Sequence, residues 1–173
     1  MEDFNSTTYG KQGLDGVVEC LWKFIKQDPQ AEYQLVVGTD SELITDKKAD
    51  FVIAIVIHRL HLGGVYFWHR IEKDKIFSLR QRMYEEAFMS MDIAGKLMTE
   101  IAKQKKEGKN GIEPLDGKEN NNGLHLEIHV DIGTKGETRE MINEIVGMVR
   151  GSGYSVKTKP EAYGASNVAD RHT

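Results

Sequence analysis

The order of periodic segments predicts an α/β fold: a mixed five-stranded sheet, an antiparallel meander joined to a parallel pair, with helices on both faces and an extra helix in front. Three observations lead there. Three apolar runs, Tyr33 to Ser41, Phe51 to Arg59 and Val65 to Ile71, follow one another through short connections, which makes them a meander. From Ser78 the apolar period changes to about 3.6, the mark of a helix. The later strands, Leu124 to Ile132 and Tyr154 to Lys159, are separated by helical segments, and helices between strands demand parallel crossovers.

Each element has its own signal. Leu14, Val17, Val18, Leu21, Trp22 and Ile25 recur at helical spacing, so Gly13 to Lys26 reads as an amphipathic helix closed by the Asp28-Pro29 turn, outside the catalytic core. Tyr33 to Ser41 (YQLVVGTDS) is an apolar strand ending on Asp40, and Gly38 within it marks a close approach to the backbone. Phe51 to Arg59 suits a central strand buried on both faces, and Gly63-Gly64 turns the chain into Val65 to Ile71. Leu79, Met83, Ala87, Ala94, Leu97, Met98 and Ile101 form one stripe on a helix running to about Lys105. Lys106 to Gly123 is too polar and Gly/Asn-rich to offset its ordering entropy and reads as a mobile insertion. In LHLEIHVDI, Leu124 to Ile132 alternates cleanly, with His125, Glu127, His129 and Asp131 sharing one face. A helix from about Glu137 to Arg150, with Gly151 as its C′ residue, leads to the last strand, and Pro160 suits the first position of a closing helix. There is no internal repeat.

Composition narrows the function classes. A chain of 173 residues suits one domain spanning 1–173. Its hydrophobic content of 39%, with 29% charged residues, is that of a water-soluble globular protein, and the longest apolar run is too short to span a bilayer. The polar start MEDFNSTTYG lacks a secretory h-region, and the lone Cys20, on a helical apolar pattern, reads as buried packing. Together these predict a cytoplasmic protein. A net charge of −4 argues against a protein that coats nucleic acid by bulk electrostatics, but a carboxylate site would contribute to that charge, so a nuclease is compatible with it.

Four acidic positions lie on separate elements: Asp40 at the first strand's end, a Glu85-Glu86 pair opening the long helix, Asp131 at the fourth strand's end and Asp170 near the carboxyl terminus. Taken alone, Thr39-Asp40-Ser41 is as well explained by a turn. As a set, the carboxylates have a chemical use. Divalent cations about 3.5–4 Å apart activate water and stabilise the leaving oxygen of a phosphodiester, and hard oxygen ligands suit Mg²⁺ or Mn²⁺. Stepped at 100° per residue, Glu86 falls roughly 80° from the middle of the apolar stripe and leans toward the sheet edge, whereas Glu85 falls about opposite it.

With TDS, YEEA, HVDIG and the closing NVADRHT in this order, the chain resembles the ribonuclease H fold, and more closely the YkuK-type family of predicted ribonuclease H-like nucleases. The likeness runs from about Gly13 to Thr173, with KTKPEA and ASNVADR its most specific pieces, and excludes the Lys106 to Gly123 insertion. It implies a metal-dependent nuclease with Asp40, Glu86 (or Glu85), Asp131 and Asp170 as ligands. In that reading Asp40 bridges a pair of Mg²⁺ or Mn²⁺ ions, Glu86 and Asp131 hold one, and Asp170 the other. The partner would be nucleic acid, whether RNA, DNA or hybrid. The alternative is a catalytically idle module of the same fold that grips nucleic acid or a protein.

Other residues have two readings. Ser41 and His129 are positioned to help order water or phosphate, though His129 also reads as a polar side chain on a partly solvated face. Lys157, Lys159, Arg139 and Arg171 would steer phosphates or stand as solvated charges. Lys103 to Lys109 reads as a basic helix end favoured by the macrodipole. Tyr66 and Trp68 stack on bases or pack on a sheet edge. His58, His61 and His69 lack a fourth partner for zinc and read as surface residues. A two-domain sugar kinase or actin-like ATPase architecture would need a second domain and phosphate loop that this length excludes.

Overall fold

The computed structural model describes residues 2–109, 124–132 and 139–172. In chain order these are α1 (Leu14–Lys26), β1 (Tyr33–Thr45), β2 (Lys48–Arg59), β3 (Gly63–Asp74), α2 (Leu79–Lys106), β4 (His125–Val130), α3 (Arg139–Gly151), β5 (Ser155–Lys157) and α4 (Gly164–His172). The strands form one sheet in the order β3-β2-β1-β4-β5. β1, β2 and β3 pair antiparallel, while β4 pairs parallel to both β1 and β5. This is the mixed sheet that the element order predicts.

The alternation of side chains along β1 assigns the two faces. Tyr33, Leu35, Val37, Thr39 and Ser41 point one way, and Thr39 Oγ1 lies 2.9 Å from Ser90 Oγ of α2. With Phe51, Ile53, Ile55 and Ile57 from β2 they meet Met83, Ala87, Ile93, Ala94 and Leu97 of α2, and α1 adds Val17, Val18, Leu21 and Ile25. Burial of these aliphatic chains is the main stabilising term of the fold. Cys20 lies in the same core.

Gln34, Val36, Gly38 and Asp40 point the other way, where α4 packs on β1, β2 and β4. Val36, Val52, Ala54, Ala162 and Val168 are buried there. Gly164 opens α4 so close to the sheet that a Cβ on it would stand 2.6 Å from Val36 Cγ1. The helix rests at a distance that only glycine allows.

Several boundaries differ from the expectations. β1 continues to Thr45 and β2 starts at Lys48, so Asp40 does not end its strand: it pairs with Val52 inside a longer hairpin. The parallel pairing with β4 does stop one residue earlier, at Thr39 and Val130. β3 likewise extends over Gly63–Asp74. Pro160 does not open the last helix; it follows a cis peptide bond in a turn, and α4 begins at Gly164. Gly151 is the last residue of α3 rather than the one after it. Most of the predicted insertion, residues 110–123, lies outside the described residues.

The N-terminal segment is polar in sequence, yet Asn5 exchanges backbone hydrogen bonds with Trp68, 2.8 and 2.9 Å, and so covers part of β3, the outer strand of the meander. Phe4 anchors it, fully buried. A covered edge removes a template for unwanted strand pairing. Among the described residues, no helix is long and apolar enough to cross a membrane.

α2 starts with a side-chain cap. Ser78 has extended backbone and its Oγ accepts from the Gln81 N–H at 3.1 Å. Replacing Ser78 by alanine is expected to lower stability by about 1 kcal/mol, the usual value of such a cap, read as a shift in the urea midpoint at constant slope.

Candidate active site

The parallel pairing of β1 with β4 ends at Thr39 and Val130, and the first side chains beyond the paired region on the α4 face are Asp40 and Asp131. Carboxyl ends of adjacent parallel strands are where α/β sheets bind ligands. α2 crosses the opposite face and brings Glu86 to the same end. Ser41, one residue after Asp40 and therefore on the α2 side, joins the two: the Ser41 N–H donates to Asp40 Oδ1 at 2.9 Å, and its hydroxyl donates to Glu86 Oε1 at 2.5 Å.

Glu86 is the unusual member. It is 3% exposed, and its second oxygen, Oε2, is buried without a hydrogen-bond partner among the described residues. Burial pushes its pKa up to about 8, the Ser41 hydrogen bond opposes this, the Asp40 and Asp131 carboxylates raise it further, and Arg82 lowers it. Electrostatically, then, Asp40, Glu86 and Asp131 are one group. Glu85, the other candidate on this helix, points away and pairs with Lys73 at 2.7 Å.

Asp131 carries a basic partner, with Lys159 Nζ 2.7 Å from Oδ1. Asp170 falls in α4, but its side chain lies outside the described residues. Arg171 rises over the ring of Tyr66, 6.0 Å from the centroid, so it is held on the α4 face of the sheet.

His129 does not stand on a partly solvated face: it is 2% exposed. Its Nδ1 accepts from the Tyr163 and Gly164 N–H groups, 3.1 and 3.2 Å, satisfying donors at the start of α4. The ring proton is thereby left on Nε2, 3.4 Å from Glu127 Oε2. Burial holds the His129 pKa below its usual value, against the raising influence of Glu127. The Tyr163 hydroxyl completes the network, donating to Gln34 at 2.9 Å and lying 3.4 Å from His58 Nδ1. His58 is thus part of a packed polar layer rather than a chance surface residue, and His69 Nδ1 lies 2.8 Å from the Asp3 carbonyl.

Two charged positions escaped the sequence reading. Asp50, on the α4 face of β2, is 3% exposed and pairs with Arg70 of β3 at 2.6 Å. It lies one residue before the expected start of its strand. Arg82 lies one turn before Glu86 on α2, and that spacing was the available signal.

The donor set is all oxygen, and the orphaned Glu86 Oε2 is the atom that a hard divalent cation would satisfy. Among the described residues, no group of three or more His, Cys, Asp or Glu side chains is placed so that it could hold a metal ion as it stands.

The "Ribonuclease H-like" family model matches residues 16–173. The chain is 31% identical to the "Uncharacterized protein YkuK" of Bacillus subtilis (strain 168), over 98% of this chain and 96% of that one. No solved structure matches. With the mixed sheet, these likenesses establish that the chain belongs to the ribonuclease H-like family.

Proposed function

We propose that the whole chain acts as one domain that hydrolyses phosphodiester bonds of nucleic acid with the help of a pair of Mg²⁺ or Mn²⁺ ions. The observation that carries this is Glu86: a buried carboxylate, raised to about 8, with one oxygen unsatisfied and two further carboxylates acting on it. Burying like charges together is costly, so the metal-free Glu86 keeps its proton up to about pH 8, and a cation bound there would take the proton's place. Asp40, Glu86, Asp131 and Asp170 are the residues that would hold the ions. Bound there, the ions supply an activated water and stabilisation of the leaving oxygen. The chain's own residues do the positioning. Ser41 aims Glu86 and braces Asp40, His129 seats the start of α4, the helix that carries Asp170, and Lys159 and Arg171 stand on the α4 side where a phosphate backbone would approach.

A second reading is favoured by the Lys159–Asp131 ion pair, which supplies part of the missing positive charge from the protein itself. In that reading the module binds nucleic acid or a protein partner without cleaving. Calorimetric titration with Mn²⁺ separates the two. The nuclease reading expects saturable uptake that is lost in Asp131→Asn, and heats indistinguishable from buffer at millimolar Mn²⁺ would leave only the idle module.

A further inference from the structure

At the start of α2 lies a pocket of about 210 Å³, lined by Leu43 and Asp46 from the β1–β2 hairpin, Ile76 and Phe77 from the β3–α2 connection, and Leu79 and Arg82 from α2. It is smaller than the roughly 300–1,000 Å³ of sites enclosing a drug-sized ligand, which suits one ring system rather than an extended molecule. Phe77 at its rim is 66% exposed, and Leu43 is 52% exposed.

The exposed ring is held in place. Lys75 takes a left-handed backbone (φ 65°), and the Gln81 amide braces both sides of the bend, donating to the Lys75 carbonyl at 2.9 Å and accepting from the Phe77 N–H at 3.0 Å. The Ile76 N–H ties the same loop to the Lys47 carbonyl at 3.0 Å. An apolar ring presented to solvent on a braced loop gains nothing for folding, but it lowers the ordering cost of a ligand that stacks on it. Arg82 adds a second, independent observation. Its Nε is buried with no hydrogen-bond partner among the described residues, and its charge acts on Glu86.

We propose that this pocket receives one unstacked base of a single-stranded nucleic acid, with the Phe77 ring on the base face and the Arg82 guanidinium beside the adjoining phosphate. Asp46 stands at the rim to accept from an exocyclic amino group. The assignment rests on the nuclease reading, because Arg82, which lines the pocket, lies one helical turn before Glu86 and would lead the strand toward it. A duplex keeps its base faces covered by stacking, so the site selects single strands or frayed ends.

The test is fluorescence anisotropy on the full chain with a short fluorescein-labelled oligodeoxycytidylate, whose bases carry an exocyclic amino group, and a duplex of equal length, in EDTA at fixed salt so that binding is read without cleavage. Phe77→Ala is expected to weaken single-strand binding about tenfold, the scale of one base–aromatic stack, and to leave duplex binding unchanged. Phe77→Trp restores affinity, and its added emission is quenched by the probe. An equal loss on both probes, or no loss on either, overturns the base site; the second result leaves the patch to a protein side chain. Absence of wild-type binding to both probes, in EDTA and again with Ca²⁺ supplied in its place, overturns the nuclease reading as well, which distinguishes that failure from the failure of the pocket alone.

Discussion

Replacing Asp40 by asparagine is expected to reduce Mn²⁺-dependent cleavage by at least about a hundredfold, the scale on which losing one charge-stabilising group shows in turnover. The side chain changes by one atom, so the Ser41 N–H keeps an acceptor at the Oδ1 position and the β1–β2 register is untouched. The thermal midpoint should therefore stay close to wild type, and the loss should appear on RNA, DNA and hybrid substrates alike. Wild-type activity in this variant would remove Asp40 from the chemistry.

Glu86→Gln is expected to change the pH dependence of stability. In the folded chain the Glu86 pKa is raised from an ordinary 4.5 to about 8. Between those values the native state holds a proton that the unfolded chain has released, so native stability falls as pH rises through that window. Below it both states are protonated and the group contributes no pH dependence; above it the full cost of the buried charge is present. Metal-free Glu86→Gln should thus match wild type near pH 4.5 and exceed it by a few kcal/mol near pH 9, as read from urea midpoints. Added Mn²⁺ should recover stability at high pH in the wild type and not in the variant, because the cation binds only the ionised carboxylate. Parallel stability profiles for the two proteins would show that Glu86 titrates normally.

The order of elements was legible because it depends on local period. Alternation in LHLEIHVDI is enough to put His129 and Asp131 on one face, and the helical angle separates Glu86, which is buried, from Glu85, which turns away to a half-buried ion pair with Lys73 rather than to open solvent. What stayed hidden was set by partners distant along the chain. β1 outran its apolar run because β2 pairs with it as far as Thr45, past the polar Ser41 and Glu42 that break the apolar pattern. His129 looked half-solvated because the N–H groups that bury it come from positions 163 and 164. Pro160 misplaced the final helix because a turn and a helix start both favour proline, and only the tertiary course of the chain selects between them.

The contact at Gly164 sets a mechanical constraint. A missing methyl group decides how low the closing helix can sit, and the helix bears its acidic residue less than two turns further on. Any bulkier substituent would act as a wedge at one end of a short lever. The start of the helix would lift away from β1, although every carboxylate would still be present in the chain.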